Sequence, residues 1–422
     1  MNFTALKAAM RTCAGQGRRR LDGARRGLMQ AFVLLAGASL VALPTLGHAQ
    51  APIGDPNAVV SWGVPMFAAN PSAGNRVNNQ TLREIAHLSI GGSRVRIKLS
   101  NRWNPLPLEV GAAQIALRTT GNGIDPASSR PLAFAGSASV TIPPFAEMVS
   151  DWVTLDVPDL GDVAVDLYLP GDTSATGTVL TVRTTAQQTN YVSQTGNFVG
   201  STAFPQASTR TIWNFLAAID VDAPGRRGAI VAFGDSITEG FGSSANTNSR
   251  WPDVLARRLL PTMRLGVADV GIGGNRVAFG GGATNPSALA RMDADVIAQT
   301  GATHVILLLG INDINGGTSA EDVIASLQQV VARARLQQLK IYVGTITPNG
   351  RGSDSVESRR QTVNSWIRTT REHDGFIDFD AVIRDPANPR LMIASLQIGD
   401  QLHPNDAGYA VMGNAIPLDL FK

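Results

Sequence analysis

The sequence predicts an α/β protein in which a flavodoxin-like three-layer α/β/α domain follows an all-β, jelly-roll-like sandwich. Two observations predict it. Up to about residue 223, short alternating apolar runs are broken at close intervals by Gly, Pro, Asn and Asp, the pattern of an antiparallel sandwich. After Val221-Asp222-Ala223-Pro224-Gly225-Arg226-Arg227-Gly228 the rhythm changes to apolar runs alternating with helix-length stretches, which implies a parallel sheet with helices on both faces. The expected division is a signal peptide over 1–51, the sandwich over 52–223 and the α/β domain over 224–422.

In the first half the strand candidates are Ser93–Leu99, Ala113–Leu117, Ala138–Ile142, Val163–Leu169 and Val179–Arg183, where apolar and polar residues alternate or apolar residues run together. Gln80–His87 reads as the one helical piece. In the second half, strand-like runs at 229–233, 265–270, 304–309, 340–346 and 375–383 alternate with helical stretches at about 251–260, 287–299, 319–338, 355–372 and 405–416. Ser319-Ala320-Glu321-Asp322 supplies a capping-box-like start. Five parallel strands suggest the flavodoxin-like order.

The bulk numbers bound the class. A chain of 422 residues with 44% apolar content can bury two domains' worth of core. The formal charge of +3 is a property of the N-terminus: seven of 36 Lys and Arg but only one of 33 acids fall in residues 1–51, leaving 29 basic against 32 acidic residues. A mildly acidic body without a basic, aromatic-studded stripe speaks against nucleic-acid binding. The leader has a basic region through Arg26, an apolar stretch from Leu28 to Leu46 and an A-x-A end at Ala49-Gln50-Ala51. It reads as a cleaved export signal, with cleavage near Ala49 or Ala51 and a secreted or periplasmic product. Arg25-Arg26 loosely fits the twin-arginine (Tat) route, but the general (Sec) route is favoured. An uncleaved anchor is the competing reading, which Pro44 and the cleavage-like end oppose, so no stable membrane insertion is expected. Cys13 is the only cysteine, so the mature chain is expected to have no disulfide, cysteine nucleophile or thiolate metal site.

Polar turns follow four of the five strands of the second half. Ser236 follows the first, in Gly234-Asp235-Ser236-Ile237-Thr238-Glu239-Gly240. The second leads to Gly271-Ile272-Gly273-Gly274-Asn275-Arg276 and the third to Gly310-Ile311-Asn312-Asp313. Gly399-Asp400-Gln401-Leu402-His403-Pro404 follows the last. All four fall on the carboxyl edge of a parallel sheet, where such folds place their chemistry. The chemistry available is acyl transfer: Ser236 as nucleophile, His403 as general base and then acid, and Asp400 orienting the imidazole. The backbone N–H groups of Ser236 and Gly274 and the side-chain amide of Asn312 are the expected oxyanion donors.

Gly234-Asp235-Ser236, Gly274, Gly310-x-Asn312-Asp313 and Asp400-x-x-His403 together resemble the four blocks of the SGNH (GDSL-type) hydrolases, over roughly 229–416. The resemblance implies that Ser236, Gly274, Asn312 and His403 take the four name-giving roles. Gly273 departs from the pattern, since many members have Ser there. The first half, with Gln80-Thr81-Leu82-Arg83 and Arg94–Asn101, is similar to the β-sandwich that precedes this domain in a secreted bacterial subset, some members of which are carbohydrate esterases removing acetyl groups.

The resulting expectation is a secreted serine esterase acting on short acyl esters, with O-acetylated carbohydrate first among small-molecule and polysaccharide substrates, and needing no cofactor and no metal. The alternatives are a lipase, arylesterase or thioesterase on longer chains, and an inactive carbohydrate-binding protein. Oligomeric state is not legible. Asp235 and Asp313 read as structural acids bonded to nearby backbone. Trp251 reads as packing, and Arg276 as a candidate for shaping the cleft. His87, His304 and His373 have no ligand-spaced partners; His304 is expected to begin a strand, the other two to lie on helix surfaces. Arg276 breaks a dinucleotide fingerprint at its third Gly, and Thr238 stands where a G-x-S-x-G elbow needs Gly.

Overall fold

A computed structural model describes residues 55–72, 74–225 and 228–422. The expected leader, with Cys13 and Arg25-Arg26, lies outside the described residues. No helix among the described residues is long and apolar enough to cross a membrane.

Residues 58–222 form the antiparallel part. One sheet orders Ala58–Gly63, Leu216–Asp222, Gly92–Ser100 and Val153–Val157, and Glu147–Val149 also pairs with Gly92–Ser100. A second orders Gln206–Arg210, Asn190–Thr195, Asn78–His87, Asp162–Asp172, Ala112–Leu117 and Arg130–Pro131. Alternation does what the sequence expects of it: Val95, Ile97 and Leu99 are buried while Arg94, Arg96 and Lys98 share the other face. These residues join Leu82, Val165 and Leu167 of the second sheet in one core.

Gln80–His87 is not a helix. It belongs to the central strand Asn78–His87, flanked on both sides by Asp162–Asp172 and Asn190–Thr195. Thr81 to Ala86 are all buried, so this strand has no solvated face to produce alternation. Its charges are admitted because they are partnered: Arg83 makes a two-pronged bond to Asp166, both contacts at 2.7 Å.

The second half contains a five-stranded parallel sheet with the spatial order Gly266–Asp269, Ala229–Gly234, Ala302–Leu308, Lys340–Gly344, Gly375–Ile377. That is the second-first-third-fourth-fifth order of a flavodoxin-like fold. Two separate apolar clusters, one centred on Phe233, Val305 and Leu327, the other on Ile230, Trp251 and Phe379, line its two faces. The helices Trp251–Leu259, Ala320–Leu336, Asp354–Thr369 and Asp406–Ala415 lie near the expected places. Ser319 caps the second of these by accepting the Asp322 N–H at 3.1 Å. The run at 375–383 is not one strand. It is the strand Gly375–Ile377 followed by the helix Phe379–Ile383, because Asp378 accepts the Ala381 N–H and starts a helix inside an apolar stretch.

The two sheet systems are packed into one compact unit. The Val60 N–H donates to the Thr300 carbonyl at 2.9 Å and the Val267 N–H to Ser89 Oγ at 2.9 Å. Ala229, Ala268 and Ile272 of the parallel part belong to the sandwich core.

Candidate active site

Ser236 begins a four-residue helix, Ser236–Glu239, immediately after the first parallel strand. Asp235 starts that helix by accepting the Ile237 N–H at 3.0 Å, leaving the Ser236 N–H outside the intrahelical bonds. Burial pushes the Asp235 carboxyl up to about 7, with the Asp313 and Glu239 charges adding to it and the Ile237 N–H and Arg291 opposing it.

His403 comes to this serine from the far end of the chain. Its Nε2 lies 3.0 Å from Ser236 Oγ, and its Nδ1 lies 2.6 Å from Asp400 Oδ2. Asp400 Oδ1 accepts the Leu402 and His403 N–H groups at 3.0 and 2.8 Å, so the three-residue spacing closes a side-chain-to-backbone turn. Burial would raise the Asp400 carboxyl, but the His403 side chain and these two N–H groups outweigh it and hold Asp400 below the ordinary carboxylate value. An ionised Asp400 is acceptor-only, which makes Nδ1 the protonated nitrogen and Nε2 the acceptor for the serine hydroxyl.

The loop is held from outside as well. Gln397 Oε1 accepts the Gly399 and Gln401 N–H groups, and the Gly350 N–H donates to the Gln401 carbonyl. Arg351 Nη2 stands 2.8 Å from the same Asp400 oxygen that faces His403. Phe241 lies over the imidazole, with ring centroids 4.7 Å apart. The neighbouring Gly242 has φ 93°, and a Cβ there would meet the Pro404 carbonyl at 2.8 Å, which allows the nucleophile loop to press against the histidine loop.

The expected oxyanion donors sit on the two adjoining loops. Gly274 has φ 70°, a left-handed turn that glycine adopts without penalty, and is exposed at its loop tip. Asn312 donates one amide hydrogen to the Asn275 carbonyl at 3.0 Å, which leaves its second N–H for another acceptor. Asp313 accepts the Val277 N–H at 3.0 and 3.1 Å, so it is structural as expected, although its partner is 36 positions away rather than local.

The tie between these loops and Ser236 is Arg291, which the sequence reading passed over. It is 1% exposed, lies over the Phe233 ring, and donates to the carbonyls of Gly234 and Val270 and to Asn275 Oδ1. One side chain thus joins the ends of the first two strands to the Gly274 loop. Asn275 is fully buried and uses its amide on Asn285 and on the Pro286 carbonyl. The fourth acceptor of Arg291, Asp295, lies one helical turn away at 3.0 Å; only the fold brings the other three to it.

Trp251 is fully buried against Phe379, as its packing role requires, and Arg276 reaches over Gly316. His304 belongs to the strand Ala302–Leu308. The other two histidines depart from expectation: His87 ends a strand and bonds Asp162, and His373 is buried against the Ile367 carbonyl. Among the described residues no cluster of three or more His, Cys, Asp or Glu is arranged to hold a metal ion.

A serine, a histidine and an aspartate in hydrogen-bond sequence at the carboxyl edge of a flavodoxin-like sheet form an arrangement that can activate a serine hydroxyl for acyl transfer. Residues 232–411 match the model of the GDSL-like lipase/acylhydrolase family. The matched segment contains Ser236, Gly274, Asn312, Asp400 and His403. Several solved structures are similar. A GDSL-like lipase from Bacteroides thetaiotaomicron is 18% identical over 46% of this chain and 88% of its own, with a TM-score of 0.37. A member of the lipolytic G-D-S-L family from Veillonella parvula is 20% identical over 44% and 94%, with a TM-score of 0.36. A catalytic mutant of an acetylxylan esterase from Geobacillus stearothermophilus is 23% identical over 45% and 93%, with a TM-score of 0.36. None of the curated proteins compared with the chain matches it.

Proposed function

We propose that the protein is an exported serine esterase that cleaves short acyl esters, with its export signal over 1–51, a sandwich over 52–223 and the hydrolytic domain over 224–422. The observation that carries the reading is the unbroken relay of 3.0 Å from Ser236 Oγ to His403 Nε2 and 2.6 Å from His403 Nδ1 to Asp400. His403 takes the Ser236 proton as Oγ forms a bond to the ester carbonyl carbon, and Asp400 stabilises the imidazolium. The N–H groups of Ser236 and Gly274 and the Asn312 amide receive the negative oxygen. Collapse breaks the bond to the alcohol, which leaves with the His403 proton. Water then repeats the sequence on the acyl-serine, with His403 as base, and releases the acid.

The short acyl group and the acetylated carbohydrate rest on the likeness of the two-part plan to secreted esterases. A second reading, a lipase, arylesterase or thioesterase on longer chains, is favoured by the apolar surface beside His403, where Phe241 and Ile398 are each 41% exposed. Initial rates on p-nitrophenyl esters from acetate to dodecanoate separate the two. A steep fall after acetate is expected; rates that climb with chain length would replace the first reading by the second. Retention on acetylated polysaccharide without turnover would instead identify a binding protein.

A further inference from the structure

The sandwich reaches the nucleophile directly. Arg183 ends the strand Leu180–Arg183, and its guanidinium pairs with the carboxylate of Glu239, which is three residues after Ser236 on the same helix. The two side chains are only 3% and 4% exposed. A charge pair this dry fixes its partners in one geometry, because either charge left alone would be stranded away from water.

The residues that follow make a second contact with the same loop. Thr185 and Gln187 both take positive φ, at 57° and 49°. Backbone of this kind in non-glycine residues persists only where surrounding contacts enforce it. Around Gln187, Asn246 supplies them: its N–H donates to the Gln187 carbonyl at 2.9 Å, its Oδ1 accepts the Thr189 N–H at 2.7 Å, and its Nδ2 donates to Thr189 Oγ1 at 3.0 Å. On its other side the loop is fastened to the histidine. Ser244 and Ser249 donate to Asp406, three residues after His403, and the Tyr409 hydroxyl donates to the Phe241 carbonyl at 2.7 Å.

The loop 236–249 therefore carries Ser236 at its start and Phe241 against His403, with one side clamped to the sandwich and the other to the helix after His403. We infer that segment 183–189 of the sandwich is a positioning element of the hydrolytic site, setting the Ser236–His403 geometry through Glu239 and Asn246. The inference rests on the esterase reading above and assigns the sandwich a role in turnover.

The test uses the full chain with Arg183→Lys, Arg183→Met, Asn246→Ala and, as a destabilising control in the sandwich core, Leu167→Ala. Rates on p-nitrophenyl acetate are measured with backbone hydrogen exchange across 236–249, and Ser236→Ala is run beside them. Asn246→Ala and Arg183→Met should lower kcat about 10- to 100-fold with KM held within about twofold, since a small misplacement of reacting groups acts on turnover. Arg183→Lys should recover part of that loss, and exchange across 236–249 should quicken in all three. Leu167→Ala should lower Tm by several degrees and leave kcat of the folded enzyme unchanged. Unchanged exchange, or a kcat loss no larger than that of Leu167→Ala, would overturn the inference. Hydrolysis that survives Ser236→Ala would overturn the esterase reading and the positioning role with it, and is distinguishable because the exchange readout does not depend on Ser236.

Discussion

Around Ser236 the helix Ser236–Glu239 is wholly buried and the neighbouring Asp235 carboxyl is pushed up to about 7. Around His403 the acid keeps 17% of its side-chain surface, faces an arginine that is 53% exposed, and is held below the ordinary carboxylate value. Both stretches place an aspartate within three residues of Ser236 or His403, and burial raises both carboxyls; only at Asp400 do donated hydrogen bonds outweigh it. The Ser236 turn keeps its side chains out of water. The His403 loop holds Asp400 ionised through three donated hydrogen bonds. Linkage follows with opposite signs. The stability contributed by Asp400 is lost as pH falls through its lowered folded value, whereas that linked to Asp235 is lost as pH rises from about 4 towards 7.

The largest effect expected on this contrast is from Asp400→Asn. It removes the acceptor that fixes the His403 tautomer, and kcat on p-nitrophenyl acetate should fall about 10⁴-fold with folding intact by circular dichroism. A loss below tenfold would mean that the ionised acid is not what sets His403. Asn312→Ala removes a proposed oxyanion donor and should cost about 10²- to 10³-fold in kcat with little change in KM. A pure KM effect would place Asn312 in substrate binding instead.

How legible all this was in the sequence divides along the same lines. The first three parallel strands were readable because each is a short apolar run stopped by glycine or a polar turn, and those turns carry Ser236, Gly274 and Asn312; His403 instead lies beyond a helix that follows the last strand. The side chains that hold the turns were not. Arg183 reaches Glu239, Arg291 reaches Gly234 and Arg351 reaches Asp400 across 49 to 57 positions, and nothing beside them in sequence marks such contacts. Gln80–His87 misled because a central strand buried on both faces loses its alternation. The run at 375–383 misled because Asp378 starts a helix without interrupting the apolar pattern.

Two smaller effects sharpen the comparison. Asp235→Asn retains a capping side chain but abolishes the buried proton. Urea unfolding from pH 4.5 to 7.5 should show the wild type losing about 3 kcal/mol relative to the variant; parallel curves would mean that Asp235 does not titrate as its burial demands. Arg351→Met removes the cation that shares Asp400 with His403. Because Arg351 is about half exposed, kcat on p-nitrophenyl acetate should change less than tenfold. A larger loss would make Arg351 part of what holds Asp400 against His403.

The central claim is that Ser236 is activated by His403 and Asp400 for attack on an ester. Its most direct measurement is the mass of the intact protein after reaction with a fluorophosphonate, in wild type and Ser236→Ala, alongside their rates on p-nitrophenyl acetate. The account predicts a single phosphonyl adduct on Ser236 of the wild type, matching loss of hydrolysis, and neither adduct nor turnover in the variant. An adduct elsewhere, or equal hydrolysis by both proteins, would contradict it.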